Sequence, residues 1–106
     1  MKPFNKLTNA QAERLAFLVE ELGEAMQAAG KVLRHGYACF NPDQGGHPGN
    51  RGALEYELGD VRAAVSLLIN AGDLSAGRIV DAEHSKLKRV GNYLHHQMRR
   101  ASAEER

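Results

Sequence analysis

Two stretches of this chain repeat large apolar residues at the 3-4 spacing of an α-helix, and that period restricts the fold more than any other feature. In the first, Leu15, Leu18, Leu22, Met26 and Ala29 fall on one side of a helix; in the second, Leu54, Leu58, Val61, Val65 and Leu68 do the same. The first helix is expected from about Asn9 to Gly30 or a little beyond, with Thr8 or Asn9 as its N-cap. The second should begin near Asn50, itself a good cap, and run to about Ala71. A third follows the turn-forming run "NAGDLS" and should extend from about Ala76 to about Arg99, with Ile79 or Val80, Leu87, Val90 and Leu94 on its apolar side. Strand patterning finds little support. The expected fold is all-α, an antiparallel helical bundle of three main helices in a single domain, 1–106. Helices of this number and size often complete their core by oligomerisation with another copy.

The segment joining the first two helices, "HGYACFNPDQGGHPGN" over residues 35–50, has little periodicity and many glycines and prolines. It reads as a flexible loop, and loops of this length inside compact domains are usually functional or mobile. The end of the chain, 100–106, reads as a frayed tail. A net charge of +1 gives no reason to expect a nucleic-acid or membrane-surface partner. Cys39 is the only cysteine, which excludes an internal disulfide and fits a reducing compartment. No apolar run approaches the roughly 20 residues that span a bilayer, and "MKPFNKLTNAQ" lacks the apolar stretch of a signal peptide. A soluble, cytoplasmic protein is expected.

Set into these two helices is an echo. "ELGE" at Glu21–Glu24 returns as "ELGD" at Glu57–Asp60. Neighbouring like charges cost a helix a few tenths of a kcal/mol, and an interior glycine about 1 kcal/mol relative to alanine. Both penalties are taken twice, in the same order. Helical residues advance by about 100°, which puts Glu21 roughly 80° from the centre of the first apolar stripe and Glu24 further round the same flank. Phe17, Ala28 and Lys31 share that second face. On the second helix Glu57 lies roughly 60° and Asp60 roughly 120° from the stripe, beside Ala53, Ala64 and Leu67. If the helices pack antiparallel, four carboxylates converge.

Clustered carboxylates in a partly buried place need a cation, or repulsion and desolvation drive them towards the protonated form. Hard oxygen donors without histidine or cysteine favour Mg2+, with Mn2+ as an alternative. Mg2+ leaves coordination positions for water and phosphate oxygens, so a site of this kind suits phosphate chemistry. Gly23 and Gly59 would then let a backbone or a ligand approach closely. Either acid pair alone reads better as an ordinary solvated helix face. Two pairs matched in spacing and in position relative to the stripe make the metal reading competitive with that one.

Glu20-Glu21-x-x-Glu24 followed by Glu57-x-x-Asp60 resembles the EExxE…ExxD signature of the MazG-like, all-α nucleoside triphosphate pyrophosphohydrolases. The surrounding "LAFLVEELGEAMQAAGK" and "NRGALEYELGDVRAAVSLL" are similar to the family's two metal-binding helices, and the likeness runs over roughly residues 7 to 97. The resemblance implies Mg2+-dependent hydrolysis of a (deoxy)nucleoside triphosphate to a nucleoside monophosphate and pyrophosphate. It also implies a homodimer or homotetramer in which two protomers complete the bundle and the site. By motif, Glu21, Glu24, Glu57 and Asp60 resemble the metal ligands, and Glu20 corresponds to a catalytic, water-orienting acid at the edge of the acid face.

A triphosphate also needs cations. Lys31 lies seven residues beyond Glu24 on the same face, and Arg34 a turn further. On the third helix Lys86, Arg89 and Tyr93 stand at 3-4 spacing, and the family's basic K-x-x-K/R element corresponds to Lys86–Arg89. The "KN…RY" run of larger members is replaced here by "KRVGNY". Tyr37 and Phe40 can stack on a base or anchor the loop. Two other readings stand beside the hydrolase: a narrower dUTPase-like or phosphoribosyl-ATP-like pyrophosphohydrolase, and a non-catalytic helical interaction or regulatory protein. A di-iron bundle normally needs Glu-x-x-His pairs, which neither acid pair provides.

Overall fold

In the computed structural model residues 4–38 and 49–97 are described, with helices, turns and irregular connections but no strand among them. The all-α expectation holds at that level. Three helices follow in order: α1 over Asn9–His35, α2 over Gly49–Asn70 and α3 over Ala76–Arg89, the last running into a 3₁₀ turn at Val90–Asn92. Cys39, Phe40, His47 and the tail 100–106 lie outside the described residues. The chain divides into two compact units, Met1–Leu74 and Ser75–Arg106.

Local chemistry explains most helix ends. Thr8 caps α1 in a reciprocal box: its hydroxyl accepts from the Gln11 N–H at 3.1 Å, and the Thr8 N–H donates to Gln11 Oε1 at 2.8 Å. Arg34 and His35 occupy the last turn of α1, where positive charge complements the helix dipole. Helix α2 closes in a Schellman motif. The Asp73 N–H donates to the Leu68 carbonyl and the Gly72 N–H to that of Ile69, with Gly72 at φ 83°. That left-handed turn is the reason for glycine at 72. Ser75 then caps α3 by accepting from the Arg78 N–H at 3.2 Å.

In the first unit α1 and α2 run in opposite directions. Near the start of α1, Arg14 reaches Asp73, just past the end of α2, through Nε at 2.7 Å and Nη2 at 3.2 Å. At the other end, Asn50 on the first turn of α2 donates from Nδ2 to the Gly36 carbonyl at 3.1 Å. The Arg51 N–H bonds the Tyr37 carbonyl, and the Arg51 guanidinium lies 4.8 Å from the centre of the Tyr37 ring. Polar clasps therefore hold both ends of the hairpin. Tyr37 takes part in the clasp with Arg51, and is itself 52% exposed.

Three expectations need correction. The side of α1 that is buried carries Glu21, Ala25 and Ala28, whereas Leu22 is 47% and Met26 75% exposed. On α2 only Leu58 of the expected stripe is exposed, at 48%, while Leu68 is fully buried as expected, with Ala64 beside it among the buried residues. Small side chains let two helices approach closely, and the contact follows that closeness rather than the most hydrophobic stripe. Secondly, Asn50 does not cap α2; it lies within the helix and its amide crosses to Gly36. Thirdly, α3 stops ten residues short of Arg99, since Gly91 and Asn92 are poor helix formers and the last turn tightens to 3₁₀. No residue of α3 is buried.

Candidate metal centre

Glu21 and Glu24 are one turn apart near the middle of α1; Glu57 and Asp60 are one turn apart near the middle of α2. Because the helices run in opposite directions and meet along the alanine face, both pairs arrive at the same level of the hairpin. One oxygen from each of Glu21, Glu24, Glu57 and Asp60 lies within 4.8 Å of the others. The convergence expected from the sequence is thus present in a single chain.

Two features of Glu21 separate this cluster from a decorated surface. The residue is only 8% exposed, and its Oε2 has no hydrogen-bond partner. A buried carboxylate oxygen without a donor is costly and uncommon. Burial is the main reason the Glu21 carboxyl is pushed above the usual carboxylate range; the charges of Glu24, Asp60, Glu20 and Glu57 add to it, in that order. A divalent cation among these oxygens removes both costs at once. The donor set consists of carboxylates alone, the chemistry of hard divalent cations in general, and offers nothing a softer ion prefers.

The glycines of the echo have a different setting from the one expected. A methyl group added at Gly23 or Gly59 would meet no neighbouring atom within 4 Å. Neither glycine is needed for the approach of α1 to α2, so the backbone half of the close-approach explanation fails within the described residues.

From the cluster, a cavity of about 360 Å³ extends towards the joined ends of the hairpin, lined by Glu24, Gln27, Ala28 and Lys31 of α1 and by Asn50, Ala53 and Glu57 of α2. Lys31 is therefore beside the acids, as its seven-residue offset from Glu24 predicted. Arg34 is exposed in the last turn of α1 and does not line the cavity. Glu20 is exposed and contributes none of the four clustered oxygens, although its charge acts on Glu21. Lys86, Arg89 and Tyr93 belong to the second unit. There the Lys86 ammonium lies 5.1 Å from the centre of the Tyr93 ring, and Arg89 Nε donates to the Ser85 carbonyl at 3.3 Å.

Sequence reasoning missed Gln27 and Asn50 as cavity residues. Gln27 sits three residues beyond Glu24, at the spacing already used for the acids, and was within reach of the same geometric argument. Asn50 was not, because its cross-helix bond to Gly36 is a tertiary contact. No helix among the described residues is long and apolar enough to cross a membrane. No family model, no curated protein and no solved structure matches this chain.

Proposed function

We propose that the protein hydrolyses (deoxy)nucleoside triphosphates to a nucleoside monophosphate and pyrophosphate, using Mg2+ or Mn2+ held by Glu21, Glu24, Glu57 and Asp60. The observation that carries this reading is the convergence of four carboxylates around Glu21, a nine-tenths buried acid whose Oε2 lacks a donor. The EExxE…ExxD pattern supports the choice of reaction, through its resemblance to MazG-like pyrophosphohydrolases. Among the described residues nothing resembles a nucleophile-and-base pair, so attack by water suits the site better than a covalent intermediate.

When bound, the ion would lower the pKa of water and offset charge developing on the phosphates. The four carboxylates would hold the cation. Lys31 lines the cavity beside the cluster, and on this reading Glu20, whose charge acts on Glu21, receives a proton from the attacking water. In the overall step the oxygen of water bonds to the α phosphorus. The bond from that phosphorus to the α–β bridging oxygen breaks, pyrophosphate leaves with that oxygen, and one proton passes to solvent.

A second copy of the chain belongs to the same reading. Leu15, Leu22 and Met26 on α1 and Leu58 on α2 are more than a third exposed, and α3 has an open apolar side including Val80 and Leu87. A homodimer or homotetramer covering these faces would complete the bundle, and would bring a basic third helix to the phosphates. The test is direct: incubate the protein with a panel of nucleoside triphosphates and Mg2+, and resolve the products. Monophosphate with stoichiometric pyrophosphate supports the proposal. Orthophosphate release contradicts the bond assigned, and no turnover with any metal leaves the non-catalytic interaction protein.

A further inference from the structure

The cavity beside the four carboxylates shares Glu24 and Glu57 with the cluster, and its other five residues, Gln27, Ala28, Lys31, Asn50 and Ala53, have a chemistry of their own. Seven residues separate Glu24 from Lys31, about 10 Å along the axis of α1. Helix α2 supplies Glu57, Ala53 and Asn50 in the reverse order. The cavity therefore runs lengthwise from an acidic wall, past the Gln27 amide and two alanines, to the Asn50 amide and the Lys31 ammonium. A space of about 360 Å³ falls within the range of small-molecule sites. It stays open because positions 28 and 53 carry methyl groups instead of larger side chains.

Asn50 is the most constrained of these residues. It is 4% exposed, and Nδ2 donates to the Gly36 carbonyl at 3.1 Å. That carbonyl belongs to a glycine at φ 85° whose own N–H bonds Val32 at 2.7 Å. The amide is thereby fixed in one orientation, with Oδ1 as acceptor and a second Nδ2 hydrogen as donor. Adjacent donor and acceptor on a rigid plane complement the edge of a heterocyclic base, as amide side chains do when they read bases elsewhere. An ionised phosphate offers acceptors only. It would leave Oδ1 unmatched and would face the carboxylates of Glu24 and Glu57. The methyl groups of Ala28 and Ala53 suit the flat faces of a ring better than they suit charged oxygens.

We propose that this cavity receives the nucleobase, with Asn50 as the base-reading residue and Gln27 as its partner on α1. The inference rests on the carboxylate cluster being a divalent-metal nucleotide site. It is tested by binding instead of turnover, so that the two can fail separately. Calorimetry with Mn2+ and α,β-methylene nucleotides of the four common bases should show unequal affinities in the intact full-length chain. Inorganic tripolyphosphate should bind without using the cavity. Asn50→Asp, which keeps Oδ1 but loses both Nδ2 hydrogens, the one bonded to the Gly36 carbonyl included, should shift the relative affinities among bases by about tenfold while circular dichroism checks that the hairpin is kept.

Ala53→Leu, which fills the cavity, should weaken every nucleotide by tenfold or more while leaving tripolyphosphate affinity and the Mn2+ paramagnetic resonance titration unchanged. If both variants kept the original affinities and base order, the assignment would be wrong. Equal losses for tripolyphosphate would place phosphates in the cavity and overturn it as well. Base-selective binding with no pyrophosphate release would remove the hydrolase reading alone. Absence of nucleotide binding would remove both.

Discussion

The two long faces of the α1/α2 hairpin have exchanged the parts that hydropathy would give them. The buried positions of the two helices are Glu21, Ala25 and Ala28 on α1 and Gly49, Asn50, Gly52, Ala64 and Leu68 on α2, small or polar with one exception. On the open side lie Leu15, Val19, Leu22, Met26 and Leu58. Close packing needs small side chains, and carboxylates tolerate burial when they share a cation. Much of the apolar stripe of α1 is thereby left for another surface, whereas on α2 only Leu58 of the stripe is exposed. The difference teaches that a helix face chosen for contact inside one chain and a face rich in leucine serve separate ends.

The largest effect should come from the acid face. Glu57→Ala or Asp60→Ala removes a carboxylate from the cluster and should lower metal-dependent pyrophosphate release by a hundredfold or more, a size usual for removing a charge-stabilising group. Helical circular dichroism should stay near that of the parent. Full activity in either variant would break the proposed division between an acid face for chemistry and a leucine face for assembly.

The leucine face gives the next. Met26→Lys or Leu22→Lys should convert an oligomer to a monomer in sedimentation, since a charge at the centre of an apolar contact disfavours association. Equal mass before and after, at the mass of one chain, would show that this face is not covered by a copy.

A pH series sharpens the contrast between the middle of the hairpin and its end. The Glu21 carboxyl titrates above its usual range in the fold. Such an acid contributes stability that is present below its unfolded pKa and lost as pH rises through the folded one. Metal-free protein should therefore lose melting temperature upward from about pH 4, Glu21→Gln should lose less, and added Mn2+ should restore it through binding to the folded state. Asp73 behaves oppositely. Its bond to Arg14 holds its carboxyl below the usual range, with burial acting against that bond. That stability is present above its unfolded pKa and disappears as pH falls through the folded one. Melting curves of Asp73→Asn against the parent should converge at low pH and separate above it.

The smallest effects belong to the glycines. Gly23→Ala and Gly59→Ala should each stabilise the isolated chain by up to about 1 kcal/mol in urea unfolding, because the added methyl meets nothing. Destabilisation would mean that a partner surface or ligand lies against the helix at that point.

Helices and the acid cluster were legible from the sequence, for a common reason. Both depend on angular position about a single helix axis, and the 3.6-residue period reports it. Glu21, Glu24, Glu57 and Asp60 needed only one further assumption, opposite running of adjacent helices. The contact face was not legible, because periodicity measures hydrophobicity and does not record what the stripe faces. Leu22 and Met26 show this: the pattern selects them as core, and the chain leaves them open. Asn50 failed for another reason. Its residue type and place suit a cap, and only the return of α1's end to within 3.1 Å reveals the cross-helix bond. The early end of α3 was readable in part, since "GNY" weakens a helix at Gly91 and Asn92.

The most direct measurement is a crystal structure of the full chain grown or soaked with Mn2+, using anomalous scattering to locate the ion. The expected result is a peak bonded to oxygens of Glu21, Glu24, Glu57 and Asp60, with Glu21 Oε2 turned to the metal. Well-ordered crystals at millimolar Mn2+ with no peak there, and the four side chains turned away from one another, would contradict it.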